Sequence, residues 1–102
     1  MSNAPSYFSN VNPDLLDWLP LNAARLLEIG CGTGALGAAY LRRNPGAEYY
    51  GVELFSEAAA SAQTVLHRVL TGDIEQADTR QAVAALLGNI PLDVLVFCDV
   101  LE

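Results

Sequence analysis

The residues Arg25 to Ile29 run without interruption into three glycines at alternate positions, Gly30, Gly32 and Gly34. Apolar side chains then recur at helical spacing as far as Arg43, where Asn44-Pro45-Gly46 ends the pattern. The run reads as strand, glycine loop, helix. Glycines without a Cβ let a ligand approach the main chain closely and allow positive φ, and the loop opens onto a helix N-terminus that would accept an anionic group.

The same alternation continues along the chain. Glu48 to Leu54, rich in aromatic and β-branched residues, reads as a second strand. Ser56 then offers a cap for an alanine-rich helix reaching to about Val65. Arg68 to Leu70 forms a third strand before Thr71-Gly72-Asp73, Thr79 to Leu87 a further helix closed by Gly88, and Leu92 to Cys98 a fourth strand. That last strand is apolar throughout and is expected to be buried on both faces. Ahead of these elements, residues 1–11 form a loose leader. Residues 12–19 form a short helix opened by Asn12-Pro13-Asp14 and closed by Pro20, with Leu15, Leu16, Trp18 and Leu19 as its buried face. Tyr7 and Phe8 could fold over a bound cofactor. Residues 25–102 make the βαβ core of one domain.

Strands alternating with helices imply right-handed crossovers, a parallel sheet and the α/β class, with helices on both faces. In such sheets ligands bind beyond the carboxyl ends of the strands. Each strand end here brings a carboxylate: Glu28 with the loop, Glu53, Asp73 and Asp99. Glu53 follows the loop by close to twenty residues, the spacing at which an acid accepts hydrogen bonds from ribose hydroxyls. His67, the lone histidine, precedes the third strand and reads as a surface residue.

Composition narrows the functions. With 52% hydrophobic and 17% charged residues, the 102-residue chain can fill a core, so disorder is excluded. Twelve acidic residues against five basic give a net charge of −7, which repels phosphate backbones and anionic lipid. Nucleic acid is disfavoured as a partner, and no apolar run is long enough to span a bilayer. The expected location is cytoplasmic. Cys31 and Cys98 lack metal-ligand spacing and read as inert free thiols.

The stretches Leu26-Leu27-Glu28-Ile29-Gly30-Cys31-Gly32-Thr33-Gly34, Gly51-Val52-Glu53-Leu54, Gly72-Asp73-Ile74 and Asp93-Val94-Leu95-Val96-Phe97-Cys98-Asp99 resemble the class I S-adenosylmethionine-dependent methyltransferases. The resemblance implies a Rossmann-like sheet with strands in the order 3-2-1-4, the first four of a seven-stranded fold. It implies S-adenosylmethionine as cofactor, S-adenosylhomocysteine as product, and transfer to an unidentified acceptor, for which the acidic charge favours a small molecule over nucleic acid. Glu28 and the loop Gly30, Cys31, Gly32 and Gly34 would hold the methionine end, and Glu53 the ribose. Leu54 and Ile74 would flank the adenine and Asp73 bind its exocyclic amine. Cys98 and Asp99 would lie near the methionine amino group and the approach of the acceptor.

Two readings compete with it. Gly32-Thr33-Gly34-Ala35-Leu36-Gly37 satisfies the G-x-G-x-x-G of NAD(P)- or FAD-binding oxidoreductase domains, although its first glycine falls late after Ile29 and leaves Glu28 and Asp73 unexplained. A non-catalytic adenosine-binding module, or a purely structural domain, would carry no turnover. The sequence reads as the N-terminal, cofactor-binding half of a longer methyltransferase, inactive by itself, and its fourth strand, left as an apolar edge, is expected to drive self-association.

Overall fold

The computed structural model describes residues 13–98, and it has the expected architecture. Helix α1 (Pro13–Trp18) leads into β1 (Arg25–Ile29), α2 (Ala35–Arg43), β2 (Glu48–Glu53), α3 (Ser56–Gln63), β3 (Arg68–Thr71), α4 (Ala77–Leu87) and β4 (Val94–Phe97). The four strands form one parallel sheet in the order β3-β2-β1-β4. Strand order therefore reverses beside β1, between the crossover that leaves it and the one that arrives at β4.

Side-chain alternation sorts the core onto two faces. On one face Leu26, Tyr49 and Val96 pack with Leu16 of α1 and Leu19 just after it, Leu36, Ala39 and Tyr40 of α2, and Ala62 and Leu66 at the end of α3. On the other, Leu27, Ile29, Tyr50 and Val52 receive Val83 of α4. The alanines of α3 serve close approach: Ala58, Ala59 and Ala62 are all buried. Gly37 does the same for α2, since a Cβ there would come within 2.7 Å of the Tyr49 ring and 2.4 Å of Leu66.

Three expectations are corrected. Trp18 is not on the buried face of α1 but 84% exposed. At about 100° per residue it stands about 130° from the midline between Leu16 and Leu19, whereas half-buried Leu15 stands about 70° away. Ser56 does not cap α3: it is the first helical residue, and Phe55, in extended conformation, holds the cap position without a side-chain bond. The fourth strand is not buried on both faces. Val96 is buried, but Leu95 and Phe97 are 51% and 56% exposed, because the core beneath α4 extends over β1, β2 and β3 and stops short of β4. Asn12, Tyr7 and Phe8 lie outside the described residues.

Gly37→Ala is expected to destabilise the fold by about 1–3 kcal/mol through overpacking against Tyr49 and Leu66. Gly46→Ala, where a Cβ would meet nothing within 4 Å, should be near neutral. Urea unfolding of the two variants checks both, and equal midpoints would contradict this account of α2 packing. The exposed face of β4 gives a second expectation: the isolated chain should sediment faster as its concentration rises, and Phe97→Lys should suppress the effect. A monomer at every concentration would contradict it.

Candidate functional site

The sequence pattern places the candidate residues at strand ends, and the backbone ties those ends together. The N–H of Cys98 donates to the Ile29 carbonyl at 2.9 Å, those of Gly30 and Cys31 to Val52 at 2.8 and 3.2 Å, and that of Gly72 to Glu53 at 2.9 Å. One rim thus collects the glycine loop, Glu53, Leu54, Asp73, Ile74 and Cys98. Asp99 lies outside the described residues.

The loop needs its glycines. Gly30, Gly32 and Gly34 have φ of 82°, 58° and 89°, all in the left-handed region where side chains strain the backbone. Gly34 also caps α2, and a Cβ there would press within 2.8 Å of Val65. The anion at this loop belongs to the protein itself. The Gly32 N–H donates to Glu53 Oε1 at 2.8 Å, and the Phe55 N–H donates to Oε2 at 3.1 Å. Glu53 is only 4% exposed, so its carboxylate is fixed by main-chain donors in a site sheltered from water. Each oxygen keeps further acceptor capacity for a ligand hydroxyl.

Glu28 shares the face of Glu53 and is 2% exposed, with the Tyr49 hydroxyl donating to its Oε1 at 2.8 Å. Asp73 is half-buried, and its Oδ1 accepts the Glu75 N–H at 3.0 Å. Leu54 is exposed at the rim, while half-buried Ile74 packs against the α4-side core. Phe55, beside Leu54, is exposed as well and was not singled out in the sequence. The signal for it was a second apolar residue after a strand that had already ended. Tyr49 was missed because its partner is 21 residues away in the chain.

Burial suppresses the ionisation of two groups here. The Cys31 thiol is pushed well above its ordinary 9.0 by desolvation, then by the charges of Glu28 and Glu53. The Tyr49 phenol is pushed above its ordinary 10.0 by desolvation, then by Glu28. Cys31 and Cys98 are free thiols, as expected. His67 is exposed, and its Nδ1 accepts the Tyr49 N–H at 3.1 Å, a structural bond away from the rim. Among the described residues no group of His, Cys, Asp or Glu is disposed to hold a metal ion, and no helix is long and apolar enough to cross a membrane.

Comparison with known proteins identifies the family. The profile of the family described as "Methyltransferase domain" matches residues 27–102, three quarters of the chain. The chain belongs to that methyltransferase family. Among curated relatives, the protein named ribosomal RNA small subunit methyltransferase C of Vibrio vulnificus (strain CMCP6) is 30% identical over 102 residues, covering 89% of this chain and 30% of that protein. Its namesake from Pseudomonas syringae pv. syringae (strain B728a) is 37% identical over 91 residues, covering 82% and 26%. The chain thus spans about 30% of the length of the curated relatives it matches. Among solved structures, SAM-bound CalS10, an amino pentose methyltransferase from Micromonospora echinaspora, aligns with a TM-score of 0.55 at 26% identity, over 94% of this chain and 35% of that one. The plantazolicin methyltransferase BamL, 14% identical over 91% of this chain and 33% of its own, shares the fold with the same TM-score. Membership of this family sets aside the dinucleotide-dependent oxidoreductase reading.

The suppressed ionisation of Cys31 and Tyr49 predicts a loss of stability in alkali. Both groups stay neutral in the folded chain and ionise on unfolding above their ordinary values. Stability is therefore fully present below pH 9.0 and falls as pH rises beyond it, by up to about 1.4 kcal/mol per pH unit for each group. Urea midpoints across this range check the trend. Cys31→Ala should remove the component that begins first, and an alkaline profile identical to wild type would contradict the assignment.

Proposed function

We propose that this chain is the donor-binding portion of an S-adenosylmethionine-dependent methyltransferase whose acceptor is a small molecule. The observation that carries the reading is the Glu53 carboxylate, buried at the end of β2 and anchored to the glycine loop through Gly32. The donor presents ribose hydroxyls and an adenine amine, all hydrogen-bond donors, and carries no phosphate. A rim of acceptor-only carboxylates suits those groups. A pyrophosphate fits it poorly, since the Gly32 N–H is already committed to Glu53 and a second anion there would meet that charge.

When bound, the donor supplies a methyl group made electrophilic by its sulfonium, and transfer is an in-line displacement at carbon. The chain's contribution is position. Glu53 accepts from the ribose hydroxyls, Asp73 accepts from the adenine amine, and Leu54 and Ile74, with Phe55, supply apolar surface for the ring. Glu28 and the loop Gly30 to Gly34 hold the methionine end, with Tyr49 fixing the Glu28 carboxylate. Cys98 lies on the side from which the acceptor arrives. His67, at the opposite end of the strands, takes no part, and the chain by itself binds donor without turnover.

Acidity supports the small-molecule acceptor. Of the five arginines, Arg25 is paired with Glu48 and Arg43 with Asp17, and twelve acidic residues outnumber all five, so the net field of the chain repels a phosphate backbone. Ribosomal RNA is the second reading, favoured by the name of the curated relatives. The charge of a chain spanning 30% of such a relative does not exclude it.

Calorimetry of this chain should detect S-adenosylhomocysteine and no nicotinamide dinucleotide; the reverse would overturn the reading. Glu53→Ala should weaken the binding by about 1.5–3 kcal/mol, through loss of hydrogen bonds to a charged acceptor. Unchanged affinity would remove Glu53 from the site. With the full-length protein and donor labelled on its methyl carbon, label is expected in low-molecular-mass products, and label in ribosomal RNA would favour the second reading.

A further inference from the structure

The segment that follows β3 carries both Asp73 and Ile74, yet among the described residues β3 is an edge strand paired only with β2. Its shape is imposed by two side chains at the start of α4. Arg80 Nη1 donates to the carbonyl of Ile74 at 3.0 Å and to that of Glu75 at 2.7 Å. Thr79 stands over Gly72, where an added Cβ would come within 2.7 Å of its Oγ1. Within the segment, Asp73 accepts the Glu75 N–H on its side chain and the Gln76 N–H on its carbonyl.

These bonds form a closed set. The turn folds back on Asp73 by its own N–H groups, which leaves the Ile74 and Glu75 carbonyls gathered on one cation. Two charge-assisted bonds from one guanidinium nitrogen fix both peptide planes at once. Take the cation away and both carbonyls are satisfied by water in many arrangements, so Asp73 and Ile74 lose a common orientation.

We propose that Arg80 is a positioning residue for the adenine end of the donor site, acting through the backbone of Ile74 and Glu75. The inference rests on the donor-site reading above. It has a consequence that a merely stabilising contact lacks. A fixed Asp73 carboxylate accepts from the amine of adenine and opposes the carbonyl of hypoxanthine, so the rigidity of the segment sets base selectivity.

The test is calorimetry of this chain with S-adenosylhomocysteine and with S-inosylhomocysteine. Wild type should prefer the adenine compound by about tenfold or more, the scale of one good hydrogen bond. R80A should lose most of that preference, chiefly through weaker binding of the adenine compound, and R80K should restore part of it. R80A with an unchanged preference overturns the proposal, whether its affinities are those of wild type or are lowered equally for both compounds. Should R80A fail to fold, R80Q, whose amide offers a neutral donor, is expected to give an intermediate preference, and a wild-type preference in R80Q overturns the proposal. A wild-type chain that binds both compounds equally sinks the Asp73 role and this inference together. One that binds neither sinks the donor-site reading itself.

Discussion

The hydrogen bond from the Gly32 N–H to the Glu53 carboxylate joins the parts on which this chain depends. It couples the loop leaving β1 to the end of β2, and it requires a backbone that reaches φ of 58° at Gly32. Satisfying a buried carboxylate with main-chain donors avoids the large cost of leaving that charge bare. The same bond orients an acceptor at the rim before any ligand arrives, so binding does not need to organise it.

The two ends of the sheet use charge differently. At the start of the strands, Arg25 is buried, paired with Glu48 at 2.8 Å, bonded to the Leu87 carbonyl and set over the Tyr50 ring. Asp93 accepts the N–H groups of Ala24 and Arg25 there and fixes how β4 begins beside β1. Those groups answer one another and hold elements together. At the carboxyl ends the carboxylates of Glu28, Glu53 and Asp73 are held by hydroxyl and main-chain donors, with no arginine paired to them in an ion pair among the described residues. Acceptors fixed in that way are suited to a ligand rich in donors.

Local signals in the sequence carried most of the fold. The strand into glycines, the alanine-rich helix and the terminating Gly88 each act within a few residues, and each appears where expected, with strand and helix ends shifting by a residue or two. The grouping of the candidate residues was legible for a related reason, since parallel topology sends the carboxyl ends of the strands to one rim. What escaped were contacts between distant residues. Tyr49 on Glu28 and Arg80 on the Asp73 segment depend on which helix and strand meet, and no spacing encodes them. Trp18 was misplaced because a helix of six residues offers too little periodicity to distinguish the edge of its stripe from its back. β4 was misjudged because an apolar strand reports what could cover it, while Leu95 and Phe97 report what does.

The central claim concerns place: the donor lies across the carboxyl ends of β1, β2 and β3. Amide chemical-shift mapping of the labelled chain on addition of S-adenosylhomocysteine addresses it most directly. The account predicts the largest shifts at Gly32, Glu53 to Phe55 and Gly72 to Glu75, with Arg25, Glu48 and Tyr50 at the opposite end unmoved. Shifts centred on that opposite end, or none at the rim, would contradict it.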